Sequence, residues 1–173
     1  YTTKEETWIS ASFLERDLGR AIELVSDIVF NSTFPEKEII KERDVILDEI
    51  ASVLDNPSDV IFDEFEERLF GTHSLGRTIL GTTDSVRSLG VEEIKNFFNR
   101  NYCAESMVFA SVGSTPIKKF KKLCEKYLTH ETGKLKSNKR VAPSPQKVFD
   151  ERTEQDTHQV HHLLGGLTVG ADH

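Results

Sequence analysis

The stretch from Pro35 to Ile50, Pro-Glu-Lys-Glu-Ile-Ile-Lys-Glu-Arg-Asp-Val-Ile-Leu-Asp-Glu-Ile, constrains the fold more than any other part of the chain. It contains no glycine and no internal proline, it is dominated by strong helix formers, and Pro35 suits a first helical turn. The spacing predicts one charged helix over 35–54, with Ile39, Ile46, Ile50 and Val53 on its apolar stripe. Glu42 and Glu49 are seven residues apart, nearly two turns, so both carboxylates leave the same face about 10 Å apart along the axis. Two acids so placed are either solvated helix residues or part of a cation site whose other donors come from elsewhere.

The segments on either side repeat the helical period. Leu18, Ala21, Ile22, Val25, Ile28 and Val29 predict an amphipathic helix over 17–31. Further helices are expected at 59–70, 83–89, 91–102 and 116–128, the last with Lys118, Lys119, Lys121, Lys122 and Lys126 as a solvated face. A different pattern occupies 7–14, where apolar and polar residues alternate, and β-prone sequence occupies 106–112, 147–151 and 157–169. These read as strands. Residues 129–146 read as a surface connection. The resulting expectation is an α+β fold, a mostly antiparallel sheet with helices packed on one face. Length and composition fit a single domain spanning residues 1–173.

A net charge of −7 argues against a nucleic-acid surface. No apolar run reaches the ~20 residues of a membrane span. Cys103 and Cys124 are too few and too far apart for a disulfide framework and read as free thiols. His158 and His162 would share one face of a strand but stand about 13 Å apart, too far for one metal ion. Asp59 and Asp63, at i and i+4, fall on one face near a helix start; they serve either helix-start electrostatics or as a clamp for a guanidinium. The glycine-bearing loop 71–81 lacks the lysine spacing of a phosphate-binding loop.

The order of short motifs is itself informative. Glu42-Arg-Asp-Val-Ile-Leu-Asp-Glu49-Ile resembles the glutamate helix of the pitrilysin-like zinc peptidases, the family of insulin-degrading enzymes and mitochondrial processing peptidase. Tyr1-Thr-Thr-Lys-Glu-Glu, Phe34-Pro-Glu-Lys-Glu-Ile, Gly71-Thr-His-Ser-Leu-Gly-Arg-Thr-Ile-Leu-Gly81, Phe98-Asn-Arg-Asn-Tyr102, Val108-Phe-Ala-Ser-Val-Gly113 and Glu154-Gln155-Asp-Thr-His158 resemble further family elements in the family's order. The resemblance implies a zinc-dependent endopeptidase built from homologous halves, with this chain the downstream part of an N-terminal-type half. It implies that Glu49 is the third zinc ligand and Glu42 a carboxylate supporting the site and catalysis. It implies that Asp59 and Asp63 contact a basic residue of the substrate, and that Tyr1 and Thr2 lie near an edge to which the peptide adds by backbone pairing.

The family's two histidine ligands and its general base stand in a His-x-x-Glu-His motif, which does not occur in this chain. The expectation is therefore a truncated half that binds no stable zinc and is inactive alone, the zinc belonging to the intact enzyme. Its expected partners are a peptide, a second homologous half in the same chain or another subunit, and possible homodimerisation of the truncated chain. A non-catalytic half that binds peptides or scaffolds a complex is the alternative. A cytoplasmic location is the working expectation, with any targeting segment placed upstream of Tyr1.

Overall fold

The computed structural model describes residues 1–128, 140–144, 147–156 and 158–170. Among the described residues six α-helices follow one another: α1 (Leu18–Phe30), α2 (Glu36–Leu54), α3 (Pro57–Phe70), α4 (Thr83–Ser88), α5 (Val91–Asn101) and α6 (Ile117–Tyr127). Short 3₁₀ turns occupy Glu15–Asp17, Ser74–Gly76 and Ala104–Ser106. Each helix lies within about two residues of its predicted span, as expected where local periodicity and capping agree. One start differs. Residue 59 is the predicted first residue of α3, yet the helix opens at Pro57, with Asn56 as its cap. Asn56 Oδ1 accepts the Ser58 N–H at 3.3 Å and the Ser58 hydroxyl at 2.8 Å, and Pro57 takes N1, where its missing N–H costs nothing.

The predicted sheet is not formed. Among the described residues the chain is helix, turn and extended backbone, and the α+β expectation is corrected to an all-helical arrangement. The segments 7–14, 106–112, 147–151 and the described part of 157–169 lie outside helices, without a ladder between them. Alternation makes a chain extended, but a sheet also needs a second strand to satisfy its N–H and C=O groups. The side chains record the lack of a covering layer: Val108 is 95% exposed, Val148 102% and Val160 96%. The isolated pairing in this part of the chain is between Tyr1 and Trp8: the Trp8 N–H donates to the Tyr1 carbonyl at 2.8 Å and the Tyr1 amino group to the Trp8 carbonyl at 3.0 Å. Their rings stack with centroids 5.7 Å apart. Of the predicted connection 129–146, residues 129–139 and 145–146 lie outside the described residues.

The chain divides into two compact units. The first contains α1, α5 and α6. Leu18 and Ile22 of α1 are buried, and Gly19 leaves room for Leu123 of α6, whose methyl carbon would lie 3.5 Å from an added Cβ. Buried Ser26 closes the pair by donating to the Tyr127 carbonyl at 2.5 Å. Phe34, with φ of 50°, packs edge-on against Phe98 at 5.1 Å. Both cysteines are free; Cys103 is buried, and burial pushes the half-buried Cys124 thiol above its ordinary value.

The second unit contains α2 from Ile40 onward, α3, α4 and the loop between the last two. Ile50 of α2 and Val86 of α4 are buried, and Ile61, Phe65 and Leu69 of α3 are half-buried. Phe62 is 57% exposed. Phe65 meets Phe149 at 5.6 Å. Gly71 ends α3 with φ of 58°, a conformation that glycine adopts without the Cβ penalty. Gly76 is buried because the loop returns tightly over the end of α3. An added Cβ there would lie 2.8 Å from the Gly71 carbonyl oxygen and 3.3 Å from the Phe70 Cβ.

Candidate functional site

Two acidic faces in the second unit hold most of the residues singled out from the sequence. On α2, Glu42 and Glu49 are both exposed, and neither makes an ion pair or hydrogen bond among the described residues. The helix runs unbroken from Glu36 to Leu54, so the seven-residue spacing does place them on one face. A free carboxylate is chemically suited to one position of a zinc centre. The described residues do not complete such a centre: no group of three His, Cys, Asp or Glu side chains among them is placed to hold a metal ion. His158 and His162 are exposed and join no such group.

On α3 the acids are placed differently from one another. Asp59 Oδ2 accepts from Asn56 Nδ2 at 2.7 Å. Asp63 is half-buried, and desolvation raises its carboxyl above the ordinary range; Glu66 and Asp59 push it the same way, while the Lys4 ammonium opposes them. Glu66 completes the stripe at i+3 from Asp63 and i+7 from Asp59. Lys4 is ion-paired with Glu66 Oε2 and donates to the Leu75 carbonyl at 2.7 Å. Sequence reasoning missed both Lys4 and Glu66. The position of Glu66 in the stripe was a usable signal; nothing in the sequence links Lys4 to a carbonyl 71 residues away.

The loop after α3 is fixed from several sides. His73 Nδ1 accepts the Leu75 N–H at 3.2 Å, so its Nε2 carries the proton and donates to the Val141 carbonyl at 2.8 Å. Arg68 forms a two-point pair with Glu151, Nη2 to Oε1 at 2.8 Å and Nε to Oε2 at 2.7 Å, which raises the guanidinium above its usual value. Glu5 pairs with Arg140 at 3.1 Å.

Tyr1 and Thr2, expected beside a peptide-binding edge, are exposed. The Tyr1 carbonyl is already used by Trp8. An open groove of about 960 Å³ in the first unit, lined by residues such as Phe13, Arg20, Leu24 and Lys126, contains none of the predicted site residues. No helix among the described residues is long and apolar enough to cross a membrane.

Comparison with known proteins agrees with the motif reading. Residues 1–83 match the family model described as insulinase, peptidase family M16. An uncharacterized zinc protease of Mycobacterium leprae is 33% identical over 177 residues, covering 98% of this chain and 39% of that protein. The mitochondrial-processing peptidase subunit beta of Mus musculus is 38% identical over 113 residues, covering 65% of this chain and 23% of that protein. The chain thus spans well under half the length of these relatives. Among solved structures, the periplasmic protease PqqL of Escherichia coli is similar in fold, with a TM-score of 0.67 at 21% identity over 76% of this chain and 15% of that one. The first half of the same protease, determined separately, gives a TM-score of 0.64. Taken with the helix that carries Glu42 and Glu49 and the loop that follows α3, these matches show that the chain belongs to the insulinase family, peptidase family M16.

Proposed function

We propose that this chain forms part of a zinc-dependent endopeptidase and supplies it with one metal ligand and a seat for basic substrate side chains. The single observation that carries the reading is the pair Glu42 and Glu49, on one face of α2, exposed and uncommitted to any described residue. An acid with an internal partner would have to be released before it could bind a cation. Glu49 is the ligand. Glu42, two turns earlier, supports the site through its negative charge and hydrogen-bonding capacity. The remaining donors and the general base come from outside the described residues. The metal, when bound, supplies Lewis-acid activation of the scissile carbonyl.

Asp59 and Asp63 hold a basic side chain of the peptide by charge-assisted bonds. Backbone pairing at Thr2 orients the peptide. A second homologous half, in the same chain or in a partner subunit, closes over the substrate. The names of the relatives support this arrangement, since one is a subunit of a processing peptidase and another is a protease whose first half has been studied separately.

The test uses the complete protein. Its zinc content and its hydrolysis of an arginine-containing peptide are measured for the wild type, Glu49→Gln and Glu42→Gln. The expected result is loss of both zinc and activity in Glu49→Gln, and retained zinc with reduced activity in Glu42→Gln. Absence of stoichiometric zinc and of chelator-sensitive cleavage in the wild-type complete protein would overturn the reading in favour of a non-catalytic peptide-binding or scaffolding half.

A further inference from the structure

We propose that Lys4 is a specificity-determining residue, an internal cation seated on the acidic stripe of α3 that sets how much positive charge a bound peptide must bring. The inference rests on the reading of Asp59 and Asp63 as a seat for a basic side chain and adds to it a residue that acts against the ligand.

Asp59, Asp63 and Glu66 recur at i, i+4 and i+7 along α3, one stripe of three carboxylates. Like charges so arranged repel one another, and a counter-cation relieves the repulsion. Lys4 provides it from outside the helix. Its ammonium is held from two directions, by Glu66 Oε2 and by the Leu75 carbonyl, and its side chain is 17% exposed while that of Glu66 is 40% exposed. The carbonyl matters most. It belongs to a loop fixed by His73 and packed tightly at Gly76, so Lys4 stays anchored even when Glu66 is altered.

The three acids are consequently unequal. Glu66 is paired with Lys4, and Asp59 has given one oxygen to Asn56. Asp63 makes no hydrogen bond among the described residues and feels the Lys4 charge. An arriving guanidinium is drawn to Asp63 and repelled by the ammonium already there. The seat therefore favours groups that outdo Lys4: a planar guanidinium making two bonds to one carboxylate does so better than a second ammonium.

The sign of the effect separates this role from simple support of the fold. Removing the positive charge in Lys4→Met should tighten an arginine peptide, and Lys4→Arg should behave as the wild type. Glu66→Gln leaves Lys4 anchored on Leu75 with Asp63 as its nearest anionic partner, and so should loosen the same peptide. Loss of structure alone would loosen it in both.

The experiment measures fluorescence anisotropy of a labelled peptide carrying one arginine and of its citrulline twin, on the complete protein freed of metal by chelation so that the peptide is not cleaved. The variants are Lys4→Met, Lys4→Arg, Glu66→Gln and the double change Asp59→Asn with Asp63→Asn, each checked by circular dichroism. The expected result is an affinity gain of about threefold to fivefold for the arginine peptide in Lys4→Met and a comparable loss in Glu66→Gln, with the citrulline peptide unmoved. If Lys4→Met does not fold, the Glu66→Gln ratio decides by itself. An unchanged arginine-to-citrulline ratio in both single variants, with the double variant losing its preference, overturns the role of Lys4 and leaves the acid seat intact. A wild-type chain with no preference, or a double variant that keeps it, overturns the seat and the inference together.

Discussion

The two acidic faces of the second unit are built from the same residue types and treated in opposite ways. On α2, Glu42 and Glu49 are left exposed and engage no other described residue through their side chains. On α3, Asp59 and Glu66 are drawn into a local network with Asn56, Lys4 and the Leu75 carbonyl, and Asp63 lies in the field of the Lys4 ammonium. A carboxylate that stabilises its own fold has satisfied part of its bonding capacity already. One meant for an external cation is best left free, at the small cost of unrelieved solvated charge. The contrast predicts that substitutions on α2 change function with little change in stability, whereas changes around α3 move stability first.

The largest effect expected is on zinc. Glu49→Gln in the complete protein should reduce metal affinity by about 100-fold or more, while Glu42→Gln costs about 10-fold to 100-fold in activity with metal retained. Metal analysis and peptide hydrolysis read these out. In the 173-residue chain the same two changes should alter unfolding free energy by no more than about 0.5 kcal/mol. A loss of more than that would break the comparison, because it would give the α2 acids a structural partner.

Next in size is the loop that anchors Lys4. Gly76→Ala places a methyl group against the Gly71 carbonyl, where backbone must move, and should destabilise by about 1–3 kcal/mol in denaturant melts. Asn56→Ala removes the cap of α3 and the partner of Asp59, with an expected cost of about 1 kcal/mol. Equal stability in either variant would mean that the α3 network is not held in the geometry described.

The subtlest test is one of sign. Burial raises the Asp63 carboxyl above its ordinary 3.8, so the folded state binds this proton more tightly than the unfolded chain. Stability therefore falls as pH rises through the interval between 3.8 and the raised folded value, and the penalty is complete above it. Asp63→Asn should raise the melting temperature at neutral pH, and the gain should vanish as pH falls below 3.8. A variant less stable than the wild type at pH 7 would show instead that the Lys4 charge outweighs desolvation.

The helices of this protein were determined by sequence, because what makes a helix is local. The apolar spacing of Leu18, Ile22 and Val25 on α1, the run 36–54 without a breaker, and the pair Asn56-Pro57 each act within a turn or two. The seven-residue spacing of Glu42 and Glu49 on one face was legible for the same reason. Sheet formation was not legible. The β-prone sequence at 7–14 and 106–112 specifies an extended backbone, but a strand exists only when another chain segment meets its hydrogen-bonding edge, and beyond the isolated pairing of Trp8 with Tyr1 no described segment does so. The distinction between the two acid faces was equally invisible. Spacing presented two carboxylate pairs alike, and only the tertiary structure brought Lys4, held by the Leu75 carbonyl 71 residues along the chain, beside Glu66 and Asp63 on one face, while no described residue engages Glu42 or Glu49 on the other. Local periodicity fixes where side chains point along one helix; which charge meets them depends on loop closure over distances that no local pattern encodes.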